Sequence, residues 1–564
     1  MDIRRTLLWI IFSFSLLLLW NNWQVHNGMP SLFGGAPAST QTAQTTDATA
    51  GTDTATANVP AGAPATHNAA DTVPGAAASG TAPSGEKIVV KTDVYELTFD
   101  TLGAQLVKAQ LSQFNGFDDS GSPMVLLDNI PGSFYVAQTG VVGAPAGQNF
   151  PTHLTPFRLV SSETTLAGNT LDVVFEAESD GVKVTKTYTL ERGSYNIGVK
   201  HDIQNTGTTP VTPSLYLQLT RDGNDPPNTS FFYNTFTGPA VYSSEDKYQK
   251  IAFSDIDKGK ASYIKQSNDG WIAFVQHYFA SAWVPVEGKT RYNEALRLGN
   301  NLYSIRSIEP TQTLASGEKV SVKSQLWVGP QDQDTMQTVA PGLDVVVDYG
   351  FLTIISKPLF KLMTWLYSFL GNWGWTIVLL TVLIKLVFYP LSAASYRSMA
   401  KMKQVTPRLQ ALREKFGDDR VKLNQAMMEM YRTEKINPLG GCLPMMIQIP
   451  VFIALYWVLL GSVEMRGAPW ILWIHDLAAR DPYFILPAIM MATMFLQIKL
   501  NPTPPDPMQA RIMMLMPLVF GGMMFFFPAG LVLYWCVNNA ISIAQQRYIM
   551  LKLEKEQALA KAHR

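Results

Sequence analysis

The sequence predicts a membrane protein with six transmembrane helices, a large external all-β domain and a cytoplasmic antiparallel helical hairpin. Three observations lead to this prediction. Apolar segments of spanning length lie at the two ends of the 564-residue chain, and period-two alternation of apolar and polar residues fills its middle. Lysine and arginine residues concentrate in the segments that this arrangement places in the cytoplasm.

The first apolar run covers residues 7–20 and follows Arg4 and Arg5. Both a signal peptide and an uncleaved anchor begin in this way. No small-residue cleavage site follows closely, and Trp23 is a residue type that is common at membrane interfaces. The pattern therefore favours an uncleaved transmembrane anchor over residues 1–23, with its start in the cytoplasm.

Residues 24–85 are predicted to be a disordered tether. From residue 34 onward this segment consists almost entirely of Ala, Thr, Gly, Pro, Ser and Asp. Such a composition buries too little apolar surface to offset the entropy lost on ordering the chain.

An all-β domain of the sandwich type is expected over residues 86–340, outside the membrane. In the segment 182–190 the even positions are mostly apolar and the odd positions polar, and Asp180-Gly181 before it is a typical hairpin turn. His153, His201 and His277 are isolated in the sequence and are interpreted as structural or surface residues. The chain has two cysteines, both near its end, so this domain has no disulfide framework.

Residues 341–370 are predicted to contain an amphipathic helix that lies in the membrane interface. Four polar residues recur at helical spacing along one face, and apolar residues fill the rest. These polar residues are Lys357, Lys361, Thr364 and Ser368. A helix that caps the β domain is the alternative.

A five-span core is expected over residues 371–549. Its apolar segments are 373–391, 442–461, 483–498 and 512–549. The last segment is long enough for about 57 Å of helix, nearly twice the hydrocarbon thickness, and Pro528 and Gly530 split it into two spans. Residues 550–564 form a basic cytoplasmic tail.

The distribution of basic residues sets the orientation. Residues 392–437 contain ten Lys and Arg against five acidic residues, whereas 462–482 contains only Arg466 and Arg480. By the positive-inside rule, both termini and residues 392–437 are cytoplasmic, and the β domain and residues 462–482 are external.

The cytoplasmic loop 392–437 has its own helical pattern. Apolar residues recur three to four positions apart on both sides of the turn Gly417-Asp418-Asp419, which predicts a hairpin with a basic exterior. Its basic residues are interpreted as a docking surface for a nascent chain, a ribosome or lipid headgroups. The candidate docking residues are Arg408, Arg413, Lys415, Arg420 and Lys422. A positively charged loop that only fixes topology is the alternative.

Lys385 is the most informative residue, because it places a charge inside an apolar span. Such a charge usually faces a polar cavity or partner. Gln448 and Asn538 on other predicted spans offer uncharged polar groups, and no carboxylate in the spans is an obvious partner. This composition suits a wet groove that attracts acidic or polar peptide segments, and it does not suit a proton relay. The alternative is a lysine that extends towards the cytoplasmic interface.

Enzyme motifs are absent from the sequence: it has no phosphate-binding loop, no dinucleotide-binding glycine pattern, no HExxH, no CxxC and no GxSxG. No metal or cofactor is predicted, and the charge balance gives no reason to expect nucleic-acid binding. A secondary transporter or channel would need inverted repeats and acidic residues in the membrane, and neither is evident. The sequence leaves open the alternative that the external β domain is an enzyme that modifies sugars.

Several motifs resemble the YidC/Oxa/Alb family of membrane-protein insertases, in its Gram-negative form. They keep their order along residues 350–550, and the anchor, tether and β domain match the same layout. The motifs are Gly371-Asn372-Trp373-Gly374, Tyr389-Pro390-Leu391, Asn437-Pro438-Leu439-Gly440-Gly441-Cys442, Gln448-Ile449-Pro450, Trp473-Ile474-His475-Asp476-Leu477 and Pro528-Ala529-Gly530-Leu531.

The resemblance implies a β-supersandwich in the periplasm and a five-span core around a hydrophilic groove that is closed on the outside. It also implies that the protein inserts and folds inner-membrane proteins, alone or with the Sec translocon, with nascent chains, the lipid bilayer and weakly the ribosome as partners. The family's groove centres on a basic residue, usually arginine, which maps to Lys385. Thr381 and Trp535 map to further groove positions, and Gln448 and Asn538 complete the candidate set.

Overall fold

The computed structural model describes residue 73 and residues 85–117, 121–226, 235–416, 419–433, 443–501 and 507–562. The chain divides into two compact units between Val346 and Val347. The predicted anchor, the tether apart from Val73, and the motif 437–442 lie outside the described residues.

The first unit contains two nine-stranded antiparallel sheets, which confirms the predicted all-β fold. The strands are β1 Lys87–Lys91, β2 Tyr95–Asp100, β3 Gln105–Asn115, β4 Pro123–Ile130, β5 Ser133–Val142, β6 Arg158–Leu159, β7 Thr170–Ser179, β8 Val182–Glu191, β9 Asn196–Asn205, β10 Ser214–Asp222, β11 Gly238–Ser243, β12 Lys247–Lys250, β13 Gln266–Ser267, β14 Trp271–Gln276, β15 Phe279–Pro285, β16 Arg291–Gly299, β17 Leu302–Pro310 and β18 Lys319–Pro330.

The first sheet has the order β1-β2-β3-β4-β5-β10-β17-β16-β13, and the second has the order β12-β11-β14-β15-β18-β9-β8-β7-β6. The predicted turn Asp180-Gly181 joins β7 to β8, and both of its residues have positive φ, as tight hairpin turns require. The sheets pack face to face: Phe99 of the first sheet contacts Phe175 and Tyr188 of the second at ring-centroid distances of 5.7 and 4.8 Å.

Lys186 lies fully buried between the sheets, at an even position of β8 where the alternation points inward. Its ammonium donates to the carbonyl oxygens of Gly103 at 2.7 Å and Thr139 at 2.8 Å, and it lies 4.5 Å from the centre of the Phe157 ring. Burial lowers the pKa of Lys186 from 10.5 to about 7. A neutral amine keeps two N–H groups, so it still serves both carbonyls.

His153 and His201 are also buried and lie near this lysine. The His201 ring bonds the Thr139 hydroxyl at 2.9 Å, and the Nδ1 of His153 bonds the Tyr216 hydroxyl at 2.6 Å. Burial is the main cause that lowers the pKa of both histidines, and the positive charge of Lys186 lowers it further. The pKa falls to about 4 for His153 and to about 3 for His201. The two histidines therefore stay neutral, and their structural interpretation agrees with these contacts.

The elements outside the sheets are mostly helical. In the first unit they are α1 Phe253–Asp257 and α2 Gln333–Val339; in the second they are α3 Thr353–Leu370, α4 Trp373–Val387, α5 Tyr389–Phe416, α6 Arg420–Thr433, α7 Leu443–Gly461, α8 Ile485–Leu500, α9 Pro507–Met524 and α10 Ala529–Ala562.

The helix boundaries agree with the predicted segments, with one correction. The break within 512–549 separates α9 from α10 at residues 525–528, as predicted. The predicted span 373–391 instead ends at Val387, and α5 continues at 65° to α4. Proline has no backbone N–H and its ring collides with the carbonyl four residues earlier in a helix, so Pro390 makes a smooth continuation past Leu386 unfavourable.

Among the described helices, none is by itself both long and apolar enough to cross a membrane. The bent pair Trp373–Val387 and Tyr389–Met402 meets that length and composition when the two are taken together. Helix α3 belongs to the second unit and buries Phe360, Met363 and Leu366, while Trp365 and Phe369 on its other side are exposed.

The titration of Lys186 predicts a pH dependence for the β domain. Between pH 7 and pH 9 the unfolded chain holds a proton on this lysine that the folded domain has largely released. The free energy of unfolding should therefore rise with pH, by at most about 1.4 kcal/mol per pH unit. Urea unfolding of residues 85–346 at several pH values measures this slope.

The substitution Lys186→Met should abolish the slope in that range, and Lys183→Met on the same strand should leave it in place, because Lys183 is partly exposed. A slope that persists in Lys186→Met would contradict the assignment.

Candidate functional site

Lys385 lies in the last turn of α4 and is 6% exposed. Its ammonium donates to the Ser542 hydroxyl of α10 at 2.8 Å and reaches the Gln448 Oε1 of α7 at 3.5 Å. The side chain thus points between three helices. None of the ion pairs found among the described residues involves Lys385, so its hydrogen-bond partners there are neutral.

A chain of polar groups continues from Lys385 across α7 and α10. Gln448 donates through Nε2 to the Oδ1 of Asn538 at 2.6 Å, and the Ser542 hydroxyl donates to the Asn538 carbonyl at 2.7 Å. Tyr396 of α5 donates to the Ser542 carbonyl at 3.4 Å. A charge held by neutral oxygens alone keeps most of its attraction for an anion that approaches.

Thr381 and Trp535, the other two predicted groove residues, lie in different surroundings. Thr381 is one turn before Lys385 on the same face of α4, is 1% exposed, and donates to the Ile377 carbonyl at 2.7 Å. Its hydroxyl is therefore already satisfied within the helix. Trp535 packs on Phe452 and Phe520 at centroid distances of 4.7 and 5.6 Å, and within the described part of the chain its indole N–H has no hydrogen-bond partner.

The structure brings Lys385, Gln448 and Asn538 into one hydrogen-bonded cluster. Ser542 and Tyr396 were not among the predicted site residues, although both contact that cluster. Ser542 lies four residues after Asn538 and so on the same face of α10, which is a signal in the sequence. No comparable signal pointed to Tyr396, because its position depends on the bend between α4 and α5.

At the opposite end of α4, the loop 462–482 folds over the start of the helix. Asn372 caps α4 by accepting from the Trp375 N–H at 3.1 Å and donates to the Pro469 carbonyl at 3.0 Å. Trp470 packs against Gly374, where an added Cβ would collide with the indole, so only glycine fits.

The same loop also holds the start of α10. The backbone N–H groups of Ala529 and Gly530 donate to the carbonyls of Ala479 at 2.7 Å and Leu477 at 2.9 Å. These bonds satisfy N–H groups that a helix start leaves without intrahelical partners. The loop thus ties together the first residues of two helices.

Asp481 holds the loop to a third helix and is 1% exposed. One carboxylate oxygen accepts from the Trp473 indole at 3.0 Å and from the Tyr483 N–H at 3.0 Å, and the other accepts from the Leu486 N–H at 2.7 Å. Burial also raises the pKa of the neighbouring Asp476.

The predicted hairpin seam is confirmed, since α5 and α6 pack through Val405, Leu409, Met427 and Met430. Of the predicted docking residues, Arg408, Lys415 and Lys422 are exposed. The side chains of Arg413 and Arg420, and the turn residues Gly417 and Asp418, lie outside what the structure describes. Among the described residues, no group of three or more His, Cys, Asp or Glu is placed to hold a metal ion.

Comparison with known proteins decides the family. Residues 87–362 match the family described as YidC periplasmic domain, and residues 365–556 match the 60Kd inner membrane protein family. Membrane protein insertase YidC of Bordetella parapertussis is 68% identical over 562 residues, which cover 99% of this chain and 100% of that protein. YidC of Cupriavidus metallidurans is 53% identical over 566 residues, which cover 100% of both.

The chain belongs to the YidC family of membrane protein insertases. It is therefore an inner-membrane protein whose β domain is periplasmic. A crystal structure described as active YidC insertase with the first transmembrane domain resolved is similar with a TM-score of 0.37 and 20% identity, covering 82% of this chain and 92% of that one. A galactose mutarotase related enzyme from Lactobacillus acidophilus has a TM-score of 0.30 and 8% identity, covering 43% and 97%. The family membership rests on the sequence identities.

The contacts of Asp481 predict that it stabilises the helical unit of this insertase. Asp481→Ala leaves one indole and two backbone donors without their acceptor, at a cost of about 1–3 kcal/mol. Thermal unfolding in detergent should show a lower Tm by several degrees. Glu429→Ala, at an exposed acid of α6, is the control and should change the Tm little. An unchanged Tm in Asp481→Ala would show that the loop is held by other contacts.

Proposed function

We propose that this insertase moves its substrates through a hydrophilic groove whose centre is Lys385. The observation that carries the proposal is a buried ammonium group whose hydrogen-bond partners, Ser542 and Gln448, are uncharged. Desolvating a lone charge is costly, so a fold that keeps one here needs a compensating interaction. An acidic or polar substrate segment supplies that interaction.

The bond from Lys385 to Ser542 favours the groove over the alternative that Lys385 snorkels, which means that its side chain extends towards the cytoplasmic interface. A lysine that only extends towards the interface would place its ammonium in water. Here the ammonium instead reaches another helix and is almost fully buried.

The proposed mechanism needs no fuel from the chain itself. Polar groups within the membrane shorten the apolar path that a polar substrate tail must cross, which lowers the barrier to transfer. Partition of the substrate's apolar span into lipid then drives insertion, at about 0.8 kcal/mol for each buried CH₂ group.

We further propose a topology of six spans, with both termini, the hairpin and the 499–511 loop in the cytoplasm. The domain boundaries are those predicted above, including the interfacial helix in 341–370. The basic residues support this orientation. The exposed hairpin residues Arg408, Lys415 and Lys422 form the proposed docking surface for nascent chains and the ribosome, and the Sec translocon is a proposed partner in folding larger clients.

Reporter fusions test the topology. Fusions after residues 200, 470 and 529 should report an outside location, and fusions after 415, 505 and 560 a cytoplasmic one. The separation of α9 from α10 at residues 525–528 is the reason for placing position 529 outside. If residue 529 proved to be cytoplasmic, α9 and α10 would not be two spans joined by an external turn. That result would contradict the six-span topology.

A client series with increasing negative charge in the translocated tail tests Lys385. Lys385→Leu should lower insertion of clients with acidic tails roughly ten- to thirtyfold, because one charge pair at 8 Å contributes about 2 kcal/mol at an effective dielectric of 20. Clients with neutral tails should lose less. Lys385→Arg should preserve insertion, since charge and reach are kept. Insertion yield in membranes that contain each variant is the measurement.

Lys499 provides a matched control for this experiment, because it also lies in the last turn of its helix, α8, but is exposed. Lys499→Leu removes one positive charge without touching the cluster around Lys385 and should leave the tail-charge dependence intact. Equal yields for Lys, Arg and Leu at position 385 across the series would restore the snorkelling alternative.

A further inference from the structure

One face of the first sheet points away from the second sheet. On β5, Tyr135 bonds Ser281 of the second sheet and Thr139 bonds His201, so the odd positions face the second sheet. The even positions of β5 and their cross-strand partners on β10 and β17 therefore form the opposite face, here called the outer face. The outer face includes Val136, Gln138, Gly140, Val142, Ser214, Tyr216, Gln218, Thr220, Ser304, Arg306 and Ile308.

The outer face is buried, although its centre is polar. Gln218 and Thr220 are both 0% exposed, and Gln138 is 4% exposed. The Nε2 of Gln218 donates to Gln138 at 2.8 Å and to Thr220 at 3.1 Å. Within the described part of the chain, the Oε1 of Gln218 and the hydroxyl of Ser304 are buried without a hydrogen-bond partner. Buried polar atoms of this kind are rare unless a further group bonds them.

The apolar end of the outer face is a preformed seat made of Val142, Tyr216 and Ile308. The Tyr216 ring lies over Gly140, where an added Cβ would collide with the hydroxyl. The Tyr216 hydroxyl accepts from the His153 backbone N–H at 3.0 Å and bonds the His153 ring. The ring is therefore fixed from both sides, and the seat does not depend on an occupant for its shape.

Val73 of the predicted tether occupies this seat. It is 3% exposed and forms one packed cluster with Val142, Tyr216 and Ile308. The composition of the tether explains why this residue is the one that binds. Between residues 34 and 85 the only large apolar side chains are Val59 and Val73, and a proline follows each. A residue before proline favours extended geometry, which suits a chain lying across a sheet.

The chain length between Val73 and the sheet is sufficient for this arrangement. β10 lies five strands from β1 in the first sheet, about 24 Å at the usual strand spacing. The 12 residues from Val73 to Gly85 span at most about 40 Å. The Gly85 N–H donates to the Asp100 carboxylate at 2.8 Å and fixes the end of the tether beside β2.

We propose that the outer face of the first sheet is a binding site for the chain's own tether, which docks through Val73. The site takes an extended, uncharged segment whose valine fills the seat, and the buried polar atoms of Gln218 and Ser304 on the same face suit a peptide backbone. Docking at Val73 shortens the connection between the predicted anchor and the β domain to residues 24–72. The tether is then a ligand of the domain that it carries, in addition to a spacer.

Cysteine labelling of the full-length protein in detergent tests the proposal. Val73→Cys should react with a maleimide at least about tenfold more slowly than Val59→Cys. Each labelling rate is first divided by the rate of the same variant in denaturant, which corrects for differences in the reactivity of the two thiols. Val59 is a matched control because it is also a valine before proline in the same tether. The parent protein, with its own two cysteines, sets the background. Equal rates at the two positions would overturn the proposal.

A second substitution locates the docking site. Val142→Ala removes part of the seat and should speed labelling at position 73 while leaving position 59 unchanged. Val184→Ala makes the same truncation in the core of the second sheet, where Val184 is 0% exposed, and should alter neither rate. If Val142→Ala does not fold, Ile308→Val makes a smaller change in the seat. Slow labelling at position 73 that stays the same in a folded seat variant would also overturn the proposal.

Discussion

The hydrogen bond from the Lys385 ammonium to the Ser542 hydroxyl is the contact on which the proposed groove depends most. It joins α4 to α10, and through Gln448 it extends to α7. Lys186 presents the same arrangement in the β domain, where an ammonium is held by two backbone carbonyls. Each unit thus buries a lysine side chain among neutral acceptors. In the β domain the acceptors are backbone carbonyls of the domain itself, and in the helical unit they are side chains that a substrate group replaces in the proposed mechanism.

Much of this architecture follows from local sequence patterns, because alternation and helical spacing report directly which side of an element is buried. The alternation in β8 placed Lys186 inward together with Val184 and Tyr188, against the usual preference of lysine for solvent. The apolar stripe in the hairpin indicated the seam between α5 and α6, and the Pro528 break indicated the separation of α9 from α10. Each of these patterns is completed within about 30 residues of chain.

Contacts between distant segments were not predictable in the same way. The selection of Ser542 as the partner of Lys385 depends on the relative rotation of α4 and α10, which the pattern of either helix leaves open. His201 lies beside Lys186 because β8 and β9 are paired strands of the second sheet, whereas His153 comes from the segment between β5 and β6, far away in the sequence. The end of α4 at Val387 was missed because the apolar run continues past it, although Pro390 cannot donate the backbone hydrogen bond that a continuous helix would need there.

The two ends of α4 differ in a way that gives the proposed groove a direction. At the first end, Asn372 and Gly374 are covered by the folded loop 462–482, whose Asp481 and backbone carbonyls satisfy the starts of three helices. At the other end, about 18 Å along the axis, the hydrogen-bond partners of Lys385 are uncharged side chains. A polar segment that enters near Lys385 gains an interaction there, whereas any path through the loop must first break a set of satisfied hydrogen bonds. In the proposed mechanism, entry from the Lys385 side is therefore favoured, and the loop closes the far end of the groove.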